Sequence, residues 1–211
     1  MADRQPPGIR RHLPSAAFVL AVLIVLAAFA GIFIYAGVYN IGADAPHSGF
    51  VYKTLDELRE RAIANYSRKI VPPADLNSPK RIAAGAGLYN EMCTGCHLGP
   101  GLERSEMSQG LYPAAPELAK ANRRSAAQQF WIIKHGVKLS AMPAWGKTHD
   151  DDLIWDMVAF IRTLPKMSPE QYKAAVASAP ADHDEMMEQM HHQADTEQPA
   201  GHSHSGHSVA D

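Results

Sequence analysis

The sequence predicts an all-α protein in which a small helical domain follows one N-terminal transmembrane helix and precedes a disordered C-terminal tail. Three observations lead to this prediction. Residues 13–42 form an uncharged, mostly apolar run, and helix-start and helix-stop signals recur over residues 78–165 without strand-like alternation. From residue 180 onward the chain is polar and rich in Ala and Gly, which is typical of disorder. A chain of 211 residues can hold one such domain with its attachments.

The apolar segment at residues 16–39 is long enough to cross a membrane. As a helix, its 24 residues would span about 36 Å, whereas a hydrocarbon core is about 30 Å thick. Arg4, Arg10 and Arg11 precede the segment, and only Asp44 closely follows it, so the positive-inside rule leaves the N-terminus in the cytoplasm. We therefore predict an uncleaved anchor at residues 13–42 in a bacterial inner membrane. Ala43-Asp44-Ala45 leaves open its removal as a signal peptide.

Residues 43–77 are predicted to be a connector that contains one amphipathic helix. Thr54-Leu55-Asp56-Glu57 matches a capping box, and Val71-Pro72-Pro73 would stop the helix that follows it. We expect this helix between the membrane and the domain. Its charged face is either solvated or in contact with lipid headgroups or a partner subunit.

Four helices in the following region begin at Ser or Thr caps. Their predicted starts are Ser78-Pro79, Ser125, Thr148 and Ser168-Pro169. The first three are expected to end near Met92, Gly136 and Leu164-Pro165. The fourth is a short helix within residues 166–179. Because the three helices of residues 78–165 make only a thin core, such a domain usually needs an additional stabilising element.

Cys93-Thr94-Gly95-Cys96-His97 contains both cysteines of the chain and matches the signature of c-type haem attachment. Two thiols about one helical turn apart can bond the two vinyl groups of a haem, while the next side chain, His97, becomes the proximal ligand of the iron. A thioredoxin-like redox site would instead lie near a βαβ pattern, which the sequence lacks. We therefore predict one covalently bound haem c.

The stretch from Ser78 to Leu164 resembles the class I cytochromes c. The residues that carry this resemblance are Gly85, Tyr89, Pro116-Glu117-Leu118, Met142-Pro143 and Phe160. It implies that residues 78–165 form a class I cytochrome c domain, in which Gly85 allows the first helix to cross closely against Phe160 of the last.

The resemblance also implies how the iron is ligated. The carbonyl of Pro116 would hold the Nδ1 proton of the ligand histidine, and Met142 would be the distal ligand. His135 is the main competitor of Met142, and His135 or His149 would give bis-histidine ligation. Nearby, Trp131 and Trp145 could pack on the haem or donate to a propionate, or could simply fill the core.

A closed His/Met site is typical of electron transfer rather than catalysis. We therefore expect a non-enzymatic carrier, or an electron-transfer subunit of a respiratory-type oxidoreductase, whose haem domain faces the periplasm and exchanges electrons with redox partner proteins at the same membrane. A haem enzyme or gas sensor would need an open iron position with acid/base groups, and the sequence shows no convergent set of these. Nucleic acid is an unfavoured partner, because no segment carries a dense basic stripe.

The tail at residues 180–211 is rich in histidine and methionine. Its candidate metal ligands are His191, His192, His202, His204 and His207. Imidazole and thioether groups suit copper, and imidazole also suits zinc or nickel. A flexible acidic tail could equally serve solubility alone, so the handling of copper or another transition metal is an alternative function.

Overall fold

A computed structural model describes residues 14–120 and 124–180. These residues form eight α-helices and contain no strand, so the all-α prediction is confirmed. The helices are α1 (Ala16–Tyr35), α2 (Gly49–Ser67), α3 (Pro79–Met92), α4 (Thr94–His97), α5 (Glu106–Gln109), α6 (Ala126–His135), α7 (Asp151–Ile161) and α8 (Pro169–Ala177). Short 3₁₀ turns lie at Trp145–Lys147 and Leu164–Lys166. The chain divides into two compact units, of which the first ends at Ala45 and the second begins at Pro46.

The first unit contains α1, the one described helix that is long and apolar enough to cross a membrane. The hydroxyl of Ser15 caps its start by accepting from the Phe18 amide. The helix ends at Tyr35, four residues before the end of the apolar segment, because Gly37 adopts a left-handed φ of 61°. Its 20 residues still span about 30 Å.

In the second unit, α2 begins earlier than the sequence predicts. Ser48 is the N-cap, and its hydroxyl accepts from the Val51 amide. Thr54 lies inside the helix, where its hydroxyl donates to the Phe50 carbonyl at 2.8 Å. The predicted capping box at Thr54 is therefore wrong, because Ser48 offers the same cap one and a half turns upstream.

Helix α2 packs against α6 rather than standing apart as a connector. Ile63 and Ser67 are buried, and the Tyr66 ring stacks on Trp131 with centroids 5.8 Å apart. An ion pair between Glu60 and Arg124 also joins α2 to the residue that precedes the cap of α6. A boundary at residue 77 would cut through this packing, so α2 belongs with the helices that follow it.

The core is organised by a close crossing of α3 and α7. A Cβ atom placed on Gly85 would lie 2.0 Å from the Asp156 carbonyl oxygen and 2.9 Å from Cβ of Phe160. Only glycine therefore allows this crossing, as the resemblance implies. Tyr89, one turn further along α3, is fully buried with its ring centroid 5.6 Å from that of Phe160.

Ion pairs of Arg81 join the start of α3 to α7. Its guanidinium donates to Asp75 at 2.9 Å, Asp152 at 3.0 Å and Asp156 at 2.8 Å. Burial by itself would lower the pKa of Arg81, but hydrogen bonds to the three carboxylates outweigh it and raise that pKa. The arginine is therefore a permanent cation between the two helices that cross at Gly85.

The other predicted helices begin at the caps expected from the sequence, except for α7. Ser125 and Ser168 form capping boxes with Gln128 and Gln171, so α6 and the predicted short C-terminal helix, α8, begin where expected. The cap of α7 is Asp150 rather than Thr148, and its carboxylate accepts from the Leu153 amide. The predicted cytoplasmic segment and almost all of the predicted disordered tail lie outside the described residues.

Candidate haem-binding site

The two cysteines lie at the junction between α3 and α4. Cys93 ends α3, and the His97 amide donates to the Cys93 carbonyl at 2.8 Å, which places the motif on one helical turn. Cys93 and Cys96 are not joined by a disulfide. Burial, with a smaller contribution from Cys96, raises the pKa of the Cys93 thiol to about 12. A thiol of this kind is protonated at neutral pH, which is unlike the thiolate of a redox-active cysteine pair.

The ring of His97 is oriented by a backbone carbonyl. Its Nδ1 lies 2.9 Å from the Pro116 oxygen, and because a carbonyl can only accept, Nδ1 carries the proton and Nε2 is left for a metal. Burial lowers the pKa of His97, and the Pro116 hydrogen bond opposes this only in part. The imidazole is consequently neutral at neutral pH, as metal ligation requires.

His97, Pro116 and Met142 line one cavity of about 490 Å³. Its apolar wall consists of Leu118, Ile132, Ile133 and Ile161. An imidazole and a thioether that line one largely apolar cavity are suited to ligate an electron-transfer haem, and the two cysteines lie on the helical turn that ends at His97. The residues present therefore fit a covalently attached haem.

Met142 is held at this cavity by a loop that folds back on the end of α6. The Val137 amide donates to the Met142 carbonyl at 3.1 Å, and the Met142 amide donates to the Ser140 hydroxyl at 3.2 Å. Gly136 has a φ of 65°, and a Cβ atom there would lie 2.7 Å from the Met142 oxygen and 2.7 Å from the Pro143 carbonyl carbon. The loop thus requires glycine for both its conformation and its close approach.

The other residues proposed from sequence lie elsewhere. His135 and Trp131 line a separate cavity of about 680 Å³, with their rings 5.2 Å apart. His149 is buried with Nδ1 2.9 Å from the Thr148 hydroxyl, and its ring meets that of Trp145 edge-on at 5.4 Å. Within the described part of the chain, none of these four residues lines the cavity of His97 and Met142. The tail histidines lie outside the described residues.

Two charged residues at the cavity were not expected from the sequence. Glu60 from α2 and Arg124 line it together and form a two-point ion pair, with nitrogen–oxygen distances of 2.6 and 2.9 Å. Glu60 lies 37 residues before His97 in a segment interpreted as a connector, so no local signal marks it.

A second feature that the sequence reasoning missed lies beside Cys96. Helix α5 brings the Met107 sulfur within 3.3 Å of the Cys96 sulfur. The start of α5 does have a signal, because the Ser105 hydroxyl caps it by accepting from the Ser108 amide at 2.9 Å.

The glycine-dependent crossing of α3 and α7, and the cavity shared by a histidine and a methionine, are together characteristic of one class of protein. This chain contains a class I c-type cytochrome domain, the kind of domain that carries covalent haem c and transfers electrons. More particularly, the family model described as cytochrome C oxidase, cbb3-type, subunit III matches residues 80–161. That match spans α3 to α7 and leaves out α1, α2 and α8. Neither the curated proteins nor the solved structures yielded a match.

Proposed function

We propose that this protein is a membrane-tethered one-electron carrier, or an electron-transfer subunit of a respiratory-type oxidoreductase, with a single haem c. The observation that carries the proposal is that His97 and Met142 line the same cavity while Pro116 holds the histidine ring. Two protein ligands would close both axial positions of the iron, which favours electron transfer over substrate or gas binding.

In this proposal each side chain has a separate task. Cys93 and Cys96 would hold the haem, His97 and Met142 would supply protein ligands to its iron, and the Pro116 carbonyl, by accepting from Nδ1, would leave Nε2 of His97 free for the metal. When bound, the haem supplies an iron centre that gains and loses one electron. The apolar wall of Leu118, Ile132, Ile133 and Ile161 would pack against the haem, and the two charged residues of the lining, Glu60 and Arg124, are paired with each other.

The apolar helix α1 supports a tether in the membrane. Its 20 residues match the thickness of a hydrocarbon core, and the arginines before it favour a cytoplasmic N-terminus and a haem domain on the periplasmic side of a bacterial inner membrane. Only the segment from Ala36 to Ser48 separates α1 from α2. A tether of this length confines the carrier to redox partners at the same membrane.

The distal ligand is tested by the Met142→Ala variant of the purified full-length protein. The ferric wild-type protein should show the weak long-wavelength sulfur-to-iron absorption band, and the variant should lose it and bind carbon monoxide in the ferrous state. The reason is that alanine leaves the sixth position of the iron without a protein ligand.

Two matched variants serve as controls. His135→Ala and Met167→Leu should both retain the band, because neither residue lines the cavity of His97 and Met142. A ferric wild-type spectrum without the band, or ready binding of carbon monoxide by the unmodified ferrous protein, would contradict a closed His/Met site.

The tether is tested by separating cells into soluble and membrane fractions and washing the membranes with alkaline carbonate. The full-length chain should stay in the membrane fraction. A chain that starts at Pro46 behind a cleavable export signal should be soluble and still carry haem, because the second compact unit begins at that residue. A mature full-length protein whose N-terminus is found near residue 46 would show that α1 is instead a removed signal.

A further inference from the structure

We propose that the ion pair of Glu60, on α2, and Arg124 tunes the reduction potential of the haem iron through the two opposite charges that it places at the wall of the His97/Met142 cavity. This inference rests on the proposed function, because it requires a haem in that cavity. It assigns a role in the electron-transfer site to a helix outside the part of the chain that the cytochrome family matches.

The contact between the two residues is a two-point ion pair. Nη1 of Arg124 donates to Oε2 of Glu60 at 2.9 Å, and Nη2 donates to Oε1 at 2.6 Å. This geometry fixes the guanidinium more firmly than a single contact would. The side chains are 31% exposed for Arg124 and 41% for Glu60, so solvent screens the pair only in part.

A second arginine adds to the charge at this position. Nε and Nη2 of Arg59 each donate to Oε1 of Glu60 at 3.3 Å, and Arg59 also pairs with Asp56. The hydrogen bond from Arg124 is the main cause that lowers the pKa of Glu60 below its ordinary value, and burial opposes it. Glu60 is therefore ionised at neutral pH, and the cluster holds two cations and two anions in balance.

Packing keeps this cluster beside the cavity. Ile63 and Ser67, on the same helix as Glu60, are buried, and Arg124 directly precedes Ser125, the cap of α6. The position of both charges is consequently set by the contact between α2 and α6. A charge held at the wall of a cavity affects the redox equilibrium of a metal inside it.

The sign of the effect follows from Coulomb's law. Oxidation adds one positive charge to the iron, so a nearby carboxylate stabilises the oxidised state and a nearby guanidinium stabilises the reduced state. Loss of the Glu60 charge should raise the potential, and loss of the Arg124 charge should lower it. Opposite shifts separate a charge effect from damage to the pocket, since opening the pocket to water would move both variants in the same direction.

The test is a spectroelectrochemical titration of the full-length holoprotein in detergent at pH 7 and low ionic strength. Relative to wild type, E60Q should increase the equilibrium constant for reduction by about threefold to tenfold, as one charge would in a medium of effective dielectric constant about 20. R124Q should decrease it over a similar range, and the double variant should lie between the two. For a one-electron couple, tenfold is about 59 mV.

The matched control is E57Q on the same helix. Glu57 pairs with Arg61 at 2.5 Å, but these side chains are 62% and 80% exposed and neither lines the cavity. This variant should change the equilibrium constant by less than about twofold, because water and salt screen exposed charges. E60D keeps the charge and should also stay within about twofold of wild type.

The inference is overturned if E60Q behaves like E57Q, if E60Q and R124Q shift in the same direction, or if E60D shifts as far as E60Q. Should E60Q fail to retain haem, R124Q still tests the sign, because an equilibrium constant for reduction at or above the wild-type value in R124Q would overturn the inference. A wild-type protein without covalent haem would instead overturn the proposed function, so the two failures are distinguishable.

Discussion

Replacing Cys93 and Cys96 together by alanine is expected to abolish covalent haem attachment completely. These are the two cysteines of the chain, and both lie on the helical turn that ends at His97. Without either thiol, the haem has no thioether bond and separates from the polypeptide when the protein is denatured. Peroxidase staining of a denaturing gel measures this directly. The wild-type chain should stain, and a pyridine haemochrome assay should give one haem per chain.

Thr94→Ser is the control for this prediction. It changes a residue between the two cysteines and keeps the hydroxyl that donates to the Asn90 carbonyl at 2.6 Å, so haem attachment should be unchanged. An immunoblot for the chain separates loss of haem from loss of protein. Haem staining of the double cysteine variant at the wild-type level per chain would rule out attachment at this motif.

Replacing Gly85 by alanine is expected to lower the free energy of unfolding by about 3 kcal/mol or more, the upper range for overpacking a core. The added methyl group would overlap the Asp156 carbonyl oxygen, at 2.0 Å, and neither backbone can yield as a flexible side chain could. Helices α3 and α7 would have to separate along their whole contact. Urea titration of the full-length protein in detergent, followed by far-ultraviolet circular dichroism, measures the change.

Gly49→Ala is the matched control, because Gly49 is also helical and a Cβ atom there would have no neighbour within 4 Å. Its stability should be unchanged or higher by up to about 1 kcal/mol, the usual gain when alanine replaces glycine in a compatible helix. If Gly85→Ala were as stable as Gly49→Ala, the close crossing of α3 and α7 would not be a property of the protein in solution.

The positions of most helices could be read from local sequence. Ser78, Ser125 and Ser168 each cap the helix predicted from them, because capping depends on a hydroxyl and on backbone amides within the next three residues. The same reasoning failed for α2. Ser48 and Thr54 both offer a hydroxyl that could cap this helix, and the local sequence pattern does not choose between them. Ile63 and Ser67 of α2 are buried in the second unit, which the pattern of caps does not indicate.

Sequence alone was enough to predict covalent haem attachment at Cys93, Cys96 and His97, because these residues share one helical turn and short-range spacing brings them together. The resemblance to class I cytochromes added Gly85 and Met142, which are far apart in sequence but belong to a recurring pattern.

The tertiary structure alone decided which of the distant candidates share the cavity. It brings Met142 to His97 through the loop closed at Gly136, and it leaves His135 and Trp131 in a different cavity. It also brings Glu60 and Arg124 to the site, although they are 64 residues apart. The physical reason is that contacts between distant segments depend on how whole helices pack, and no single segment of sequence encodes that packing.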